Sequence, residues 1–282
     1  MTRKFRTLIL ILIATFALSG CANDGGIYSD KGQVFRKILP QDLTSLDTSL
    51  ITEEMSFEVT AQTFEGLYTL GKDDKPVLGV AKAFPEKSKD GKTLKVKLRG
   101  DAKWSNGDKV TAQDFVYAWR KTVNPKTGSE FAYIMGDIKN ASDINAGKKP
   151  VEQLGIKALD DETLQIELEK PVPYINQLLA LNTFAPQNEK VAKKYGENYG
   201  TAADRAVYNG PFKVDDWKQE DKILLSKNQY YWDKKNVKLD KVNYKVIKDL
   251  QAGASLYDTE SVDDALITAD QVNKYKDNKG LN

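Results

Sequence analysis

Residues 103–116 read KWSNGDKVTAQDFV, and they hold the clearest structural signals of the chain. The dipeptide Asn106-Gly107 is typical of a tight turn. Thr111 and Asp114 have the spacing of a capping box, in which a side chain three residues after the N-cap returns to the cap's backbone N–H. A helix is therefore predicted to begin after Thr111. It should end before Asn124-Pro125, because the residue before a proline avoids the helical conformation.

Two segments on either side of this helix alternate apolar and polar residues. Residues 93–99 place Leu94, Val96 and Leu98 on one face, after a turn at Asp90-Gly91. Residues 163–168 repeat the pattern after another acidic turn. A period of two residues predicts half-buried antiparallel strands.

Weaker patterns extend the prediction over the rest of the chain. Further strands are predicted at 33–39, 221–226 and 242–247, and helices at 55–67 and 173–181. Helices and strands do not alternate regularly, and no internal repeat or heptad pattern is present. This order indicates a mixed α/β (α+β) class.

The first twenty residues have the pattern of a secretory signal peptide. A basic start is followed by an apolar run from Leu8 to Leu18 and by small residues, and the run of about 11 residues is too short for a membrane span. Leu18-Ser19-Gly20-Cys21 is typical of a lipobox, which predicts cleavage before Cys21 and attachment of lipid to its sulfur. The alternative is a small-residue cleavage site that includes a cysteine by chance. Residues 21–30 would form a flexible tether.

The composition excludes several kinds of protein. The net charge of +2 falls to about −1 when the leader's three basic residues are removed, so nucleic-acid binding has no electrostatic support. The absence of histidine excludes histidine triads and the usual histidine zinc sites. The one cysteine excludes an internal disulfide. Carboxylate-pair chemistry of the glycoside hydrolase kind stays open.

Residues 103–116 resemble the signature of the bacterial extracellular solute-binding protein family 5, the peptide, nickel and opine receptors of ABC importers. Other motifs of the family follow in its order. These are Ser45-Leu46-Asp47, Phe64-Glu65-Gly66-Leu67, residues 160–164 with 171–174, Asn209-Gly210-Pro211-Phe212 with Trp217, and residues 228–233. The resemblance covers roughly residues 33–282. Trp217, Tyr231 and Trp232 within these motifs are interpreted as packing residues rather than ligand contacts.

The resemblance implies a two-lobe periplasmic-binding-protein-like fold of type II, the peptide-binding class, closing on its ligand by hinge motion. The first lobe would comprise residues 31–62 and 188–282, with residues 63–187 inserted as the second lobe. We expect the fold to be C-terminally incomplete, because family chains continue into a third lobe. The chain would end near the junction with that absent lobe.

The resemblance also implies positions for ligand contacts. Glu53, Glu54 and Met55 correspond to a segment whose main chain meets the peptide in relatives, although an exposed acidic loop is an alternative. Phe131 corresponds to an aromatic residue that faces the ligand.

A third group of contacts follows a family motif near Val262-Asp263. Leu266, Ile267 and Thr268 would then line the cleft, and the apolar pair would favour a hydrophobic peptide. The alternative is that this pair is buried in a strand.

The expected function is a lipid-anchored protein that binds oligopeptides and delivers them to an ABC permease. It would lie on the extracellular face of a bacterial membrane, or in the periplasm of a cell with an outer membrane. No catalytic residue, metal or cofactor is expected. The alternatives are a same-fold receptor for a signalling peptide, haem or chelated metal, and a surface carboxylate-type glycoside hydrolase.

Overall fold

Two four-stranded sheets organise the residues that the computed structural model describes, which are Gly32–Asn278 and Gly280. The strands of this part are β1 (Val34–Leu39), β2 (Tyr68–Leu70), β3 (Pro76–Leu78), β4 (Glu86–Lys87), β5 (Thr93–Lys97), β6 (Ile156–Asp160), β7 (Thr163–Glu167), β8 (Phe212–Lys218), β9 (Lys222–Lys227) and β10 (Lys241–Val246). The helices are α1 (Glu54–Thr63), α2 (Ala112–Val123), α3 (Ala141–Asn145), α4 (Ile175–Leu178), α5 (Glu189–Tyr195), α6 (Leu250–Asp258) and α7 (Val272–Tyr275). The mixed α/β class is therefore confirmed.

The first sheet has the strand order β1-β10-β9-β8. The pairing of its edge strand β1 with β10 is parallel and long-range, with Val34 opposite Lys241 and Leu39 opposite Val246. The other two pairings are antiparallel. The free edge of β1 is met by a later segment, in which the backbone N–H of Asp263 donates to the carbonyl of Arg36 at 2.7 Å. Residues 263–264 therefore lie beside the outer edge of β1.

The second sheet has the order β4-β5-β7-β6 and is antiparallel throughout. All its strands come from residues 86–167. Leu94, Val96 and Leu98 are buried on one face, which confirms the prediction from their alternation. The pairs β4–β5 and β6–β7 join near neighbours in sequence and cost little loop-closure entropy, whereas β5 pairs with β7 across the segment that carries α2.

The capping box of α2 is present as predicted. The Asp114 carboxylate accepts hydrogen bonds from the backbone N–H of Thr111 at 2.9 Å and from Trp104 Nε1 at 3.2 Å. Gly107 has a φ of 92°, a conformation that glycine adopts without strain. The turn at 106–107 thus holds Trp104, which is fully buried, against the start of the helix.

The buried apolar residues form one continuous cluster rather than a separate core for each sheet. Val96 and Leu164 from the second sheet belong to it, as do Leu225 and Val242 from the first. The two sheets therefore differ in topology but share their packing.

Two predicted helices are shorter than expected. The first ends at Thr63, because Phe64 adopts an extended conformation and buries its ring beside Tyr208 at 5.6 Å. The predicted helix at 173–181 is limited to α4, since the backbone N–H of Ala180 bonds to the third residue before it, Gln177, and tightens the turn. No helix in the described part has the length and apolar content that a membrane crossing requires.

Candidate functional site

The first turn of α1 holds the first group of predicted contacts. The Glu53 carboxylate caps the helix, accepting from the backbone N–H of Ser56 at 2.6 Å and from Thr44 Oγ1 at 2.8 Å. Glu54 is exposed, and Met55 buries its side chain in the core. The alternative of an exposed acidic loop is wrong in its conformation, because Glu53 caps a helix that begins at Glu54, although Glu54 is exposed.

The backbone N–H groups of Glu54 and Met55 remain available in this turn. Neither donates a hydrogen bond to any described residue, as is usual for the first turn of a helix. The side chain of Glu54 likewise has no hydrogen-bond or ion-pair partner in that part of the chain. The turn therefore presents two backbone donors beside one unpaired carboxylate.

Lys37 of β1 connects α1 to the segment that leaves the first sheet. Its Nζ lies 3.0 Å from Glu58 Oε1 and 3.4 Å from Asp264 Oδ2. Burial lowers the pKa of Lys37, but the hydrogen bond and charge of Glu58, with those of Asp264, raise that pKa overall. The bridge links Asp264 through Lys37 to Glu58, which lies one helical turn after Glu54 on α1.

The segment Ala265–Ile267 lies outside all helices and strands. Its backbone N–H and C=O groups make no hydrogen bond with any described residue. The side chain of Leu266 is 50% exposed and that of Ile267 is half-buried, so the alternative of a pair buried in a strand is wrong. Thr268 is held by the Gln271 side chain, to which its backbone N–H donates at 2.9 Å.

A surface pocket of about 430 Å³ lies beside this segment. Leu266, Ile267, Asp263, Asp264, Tyr257 and Tyr275 are among its lining residues. Two carboxylates and two phenol rings thus surround backbone groups that have no partner.

Phe131 packs against α1. Its ring centroid lies 5.6 Å from that of Phe57 and 6.1 Å from that of Tyr133. Phe57 follows the first turn of α1, and its backbone N–H donates to the carbonyl of Glu53. The structure thus brings Phe131 to the same helix as Glu53–Met55.

The structure brings Phe131 into contact with α1, the helix that Glu53 caps. Asp264, two residues before Leu266, is joined to the same helix through Lys37 and Glu58. Cys21 lies outside the described residues. Sequence reasoning missed Phe57, Lys37 and Glu58. Helical periodicity could have identified Phe57, because it lies off the buried face that Met55 and Val59 define.

A separate buried cluster surrounds Glu65. Its carboxylate accepts from the hydroxyl of Tyr231 at 2.6 Å and from Trp232 Nε1 at 2.7 Å. Burial raises the pKa of Glu65 to about 7, although these hydrogen bonds oppose the rise. The Arg99 guanidinium lies 3.0 Å from the centroid of the Trp232 ring. Tyr231 and Trp232 are therefore packing residues, as predicted, and not part of the candidate site.

Bacterial peptide-binding proteins and receptors resemble this chain in sequence and structure. It is 42% identical over 247 residues to a dipeptide-binding protein of Lactococcus lactis subsp. cremoris, a match that covers 86% of the chain and 45% of the relative. The substrate-binding domain of an oligopeptide ABC transporter from Bacillus anthracis superposes with a TM-score of 0.86 at 48% identity, covering 88% of this chain and 48% of that one. The pheromone receptor PrgZ superposes with a TM-score of 0.85 at 36% identity, covering 88% and 50%.

These matches show how far the likeness extends. The chain spans about half the length of the relatives it matches. Residues 75–282 match the family model described as bacterial extracellular solute-binding proteins, family 5, middle. Proteins of that description bind solutes outside the cytoplasm. The chain belongs to the bacterial extracellular solute-binding proteins of family 5.

Proposed function

We propose that this protein captures oligopeptides through main-chain hydrogen bonds. The observation that carries the proposal is the segment Ala265–Ile267, whose backbone groups have no partner in the described part of the chain. Unpaired backbone groups favour a ligand that supplies complementary N–H and C=O groups, as an extended peptide does. Main-chain bonding of this kind selects for a peptide backbone with little regard to its side chains.

The first turn of α1 supplies further donors for the same ligand. The backbone N–H groups of Glu54 and Met55 suit an acceptor oxygen. The carboxylates of Glu53 and Glu54 disfavour a ligand carboxylate there, because like charges repel. This turn should therefore accept a neutral peptide carbonyl.

The role of the protein would be binding and delivery, without catalysis. The likeness to the substrate-binding domain of an oligopeptide ABC transporter supports an ABC permease as the partner that receives the peptide. The lipobox around Cys21 supports a lipid anchor on the extracellular face of the membrane. The order of strands supports residues 63–187 as an inserted lobe, because the second sheet is built within that range.

Calorimetric titration of the purified protein with short alanine peptides tests the main-chain proposal. We expect binding, and we expect affinity to fall at least tenfold for Leu266→Pro, which removes a backbone N–H. Leu266→Ala is the matched control, and it should change affinity by less than threefold because the backbone donor remains. Circular dichroism of both variants checks that the fold persists.

Peptides that are N-methylated at single amides provide the reciprocal test. Methylation removes one ligand donor and should weaken binding at the positions that contact Ala265–Ile267. Equal binding of the methylated and unmodified peptides, together with a Leu266→Pro variant of full affinity, would overturn the proposal.

The lipid anchor requires its own measurement. Replacement Cys21→Ala should abolish incorporation of labelled palmitate and release the protein from membranes. Palmitate incorporation that persists in this variant would contradict the anchor.

A signalling peptide is the second candidate ligand, and the structural likeness to the pheromone receptor PrgZ favours it. A nutritional receptor should bind many peptides with similar affinities, whereas a signal receptor should prefer one sequence by orders of magnitude. The same titrations with a mixed-sequence library separate the two.

A further inference from the structure

Three aromatic rings, of Phe57, Phe131 and Tyr133, form a continuous row beside α1. Phe57 belongs to α1, whereas Phe131 and Tyr133 lie more than seventy residues later, at the start of the 3-10 turn Ala132–Asp137. Adjacent ring centroids are 5.6 and 6.1 Å apart, and the rings are tilted by 50° and 56°. These distances are those of aromatic pairs in direct contact. We call these three residues the aromatic shelf.

The shelf is only partly used by the fold. Phe57 and Phe131 are half-buried, and Tyr133 is 68% exposed, more than any other large hydrophobic side chain in the described residues. The Tyr133 hydroxyl has no hydrogen-bond partner in that part of the chain. The fold leaves apolar surface of these rings exposed. A ligand side chain that packs against the shelf would cover this surface and so increase the affinity of the ligand.

The shelf adjoins the candidate main-chain site. Phe57 follows Glu54 by three residues, so their side chains share one face of α1. The backbone N–H of Phe57 donates to the carbonyl of Glu53, in the same turn that presents the free donors. A peptide bonded to that turn would therefore pass one of its side chains over the aromatic rings.

The charges beside the shelf are negative. Glu58 is balanced by Lys37, with Nζ 3.0 Å from its carboxylate. Glu54 has no such partner among the described residues, and Glu53 is occupied in capping. An acidic ligand side chain would meet an unbalanced carboxylate at the rim, whereas an apolar side chain would not.

We infer that the aromatic shelf is a side-chain subsite that accepts aromatic or aliphatic residues of a peptide and discriminates against acidic ones. This inference rests on the proposed function, since it assigns specificity to the same site. Main-chain bonding gives the protein broad affinity for peptides, and the shelf adds a preference at one position along the ligand.

The test uses tetra-alanine and derivatives in which each position in turn becomes Phe, Ser or Glu. At one position we expect Phe to bind more tightly than Ser. Tyr133→Ser should lower affinity for that Phe peptide about two- to tenfold, which corresponds to the usual strength of an aromatic contact. Affinity for tetra-alanine should not change. Tyr230→Ser is the matched control, because Tyr230 is also exposed, at 47%, but packs beside Gly107.

A separate variant tests the repulsion between Glu54 and an acidic ligand side chain. Glu54→Gln should raise affinity for the Glu peptide of the same position about threefold, as expected for removal of one exposed repulsion. The ratio of its affinities for the Phe and Glu peptides should therefore fall about threefold relative to the parent protein.

The possible outcomes distinguish failure of this inference from failure of the proposed peptide capture on which it rests. Tight binding of tetra-alanine with no preference for Phe at any position, or a preference that survives Tyr133→Ser, overturns the shelf and leaves peptide capture standing. Failure of every peptide in the panel to bind overturns both.

Discussion

The two sheets of this protein are built from the chain in opposite ways. The second sheet takes all its strands from residues 86–167 and pairs them antiparallel. The first sheet joins β1 to β10 in parallel, although about two hundred residues separate them. Yet both contribute to one buried cluster. The two sheets are therefore separate in strand pairing, but their apolar residues pack into one core. The backbone groups available to a ligand lie beside the first sheet, which contains the long-range pairing.

A core substitution in the second sheet's region tests whether the packing is shared. Trp119 is fully buried, meets Phe184 edge-on at 5.1 Å and donates from Nε1 to its carbonyl. Trp119→Ala should lower the free energy of unfolding by about 3–5 kcal/mol in urea denaturation. Because the cluster is continuous, amide exchange should accelerate in β8–β10 as well as in β5 and β7.

The matched substitution in the first sheet is Ile223→Ala, at a fully buried position of β9. It should cost about 2–5 kcal/mol and accelerate exchange in both sheets. If either substitution accelerates amide exchange only in its own sheet, the two sheets have independent cores, which would contradict the shared packing.

The pH dependence of stability tests the contact between the regions at Glu65. Its pKa in the folded protein is about 7, above the ordinary value near 4.5. A raised folded pKa contributes stability that is fully present below the ordinary pKa and is lost as pH rises through about 7. Between pH 4.5 and 8 the protein should therefore lose about 2–3 kcal/mol through this group.

Glu65→Gln provides the measurement. The variant should be about as stable as the parent at low pH, because the amide resembles the protonated carboxyl that faces Tyr231 and Trp232 there, and its stability should vary less across this range. Glu197→Gln, at an exposed carboxylate, should keep the parent's pH profile. A parent-like slope in Glu65→Gln would show that another group titrates.

The smallest effect concerns the Lys37 bridge between α1 and residue 264. Lys37→Met leaves the carboxylates of Glu58 and Asp264 without their shared cation. We expect a loss of about 1 kcal/mol in the free energy of unfolding, since such partly exposed pairs are weak. Lys139→Met, which breaks the exposed pair with Glu167, should have no measurable effect. Equal losses in both variants would remove any special role for the bridge.

Local patterns predicted the second sheet better than the candidate site. The alternation at Leu94, Val96 and Leu98 and the capping pair Thr111 and Asp114 act over a few residues, so the sequence states them directly. The fold class and family followed from such segments.

The site could not be predicted in the same detail, because its contacts join distant residues. Lys37 meets Asp264 only after β1 has paired with β10, and nothing near Tyr133 in sequence indicates Phe57. Family resemblance placed Glu53–Met55 and Leu266–Thr268 without showing that Met55 is buried or that Glu53 caps α1. Those facts depend on tertiary packing, which no local pattern encodes.

Residue-resolved hydrogen exchange of the purified protein, with and without a saturating alanine peptide, tests the central claim most directly. Without peptide, the amides of Ala265–Ile267, Glu54 and Met55 should exchange fast, because no described residue accepts their hydrogen bonds. With peptide, the account predicts strong protection of at least one amide in each group, while the exposed residues 73–74 stay fast. Peptide binding that leaves both groups unprotected would contradict the proposal that these backbone groups hold the ligand.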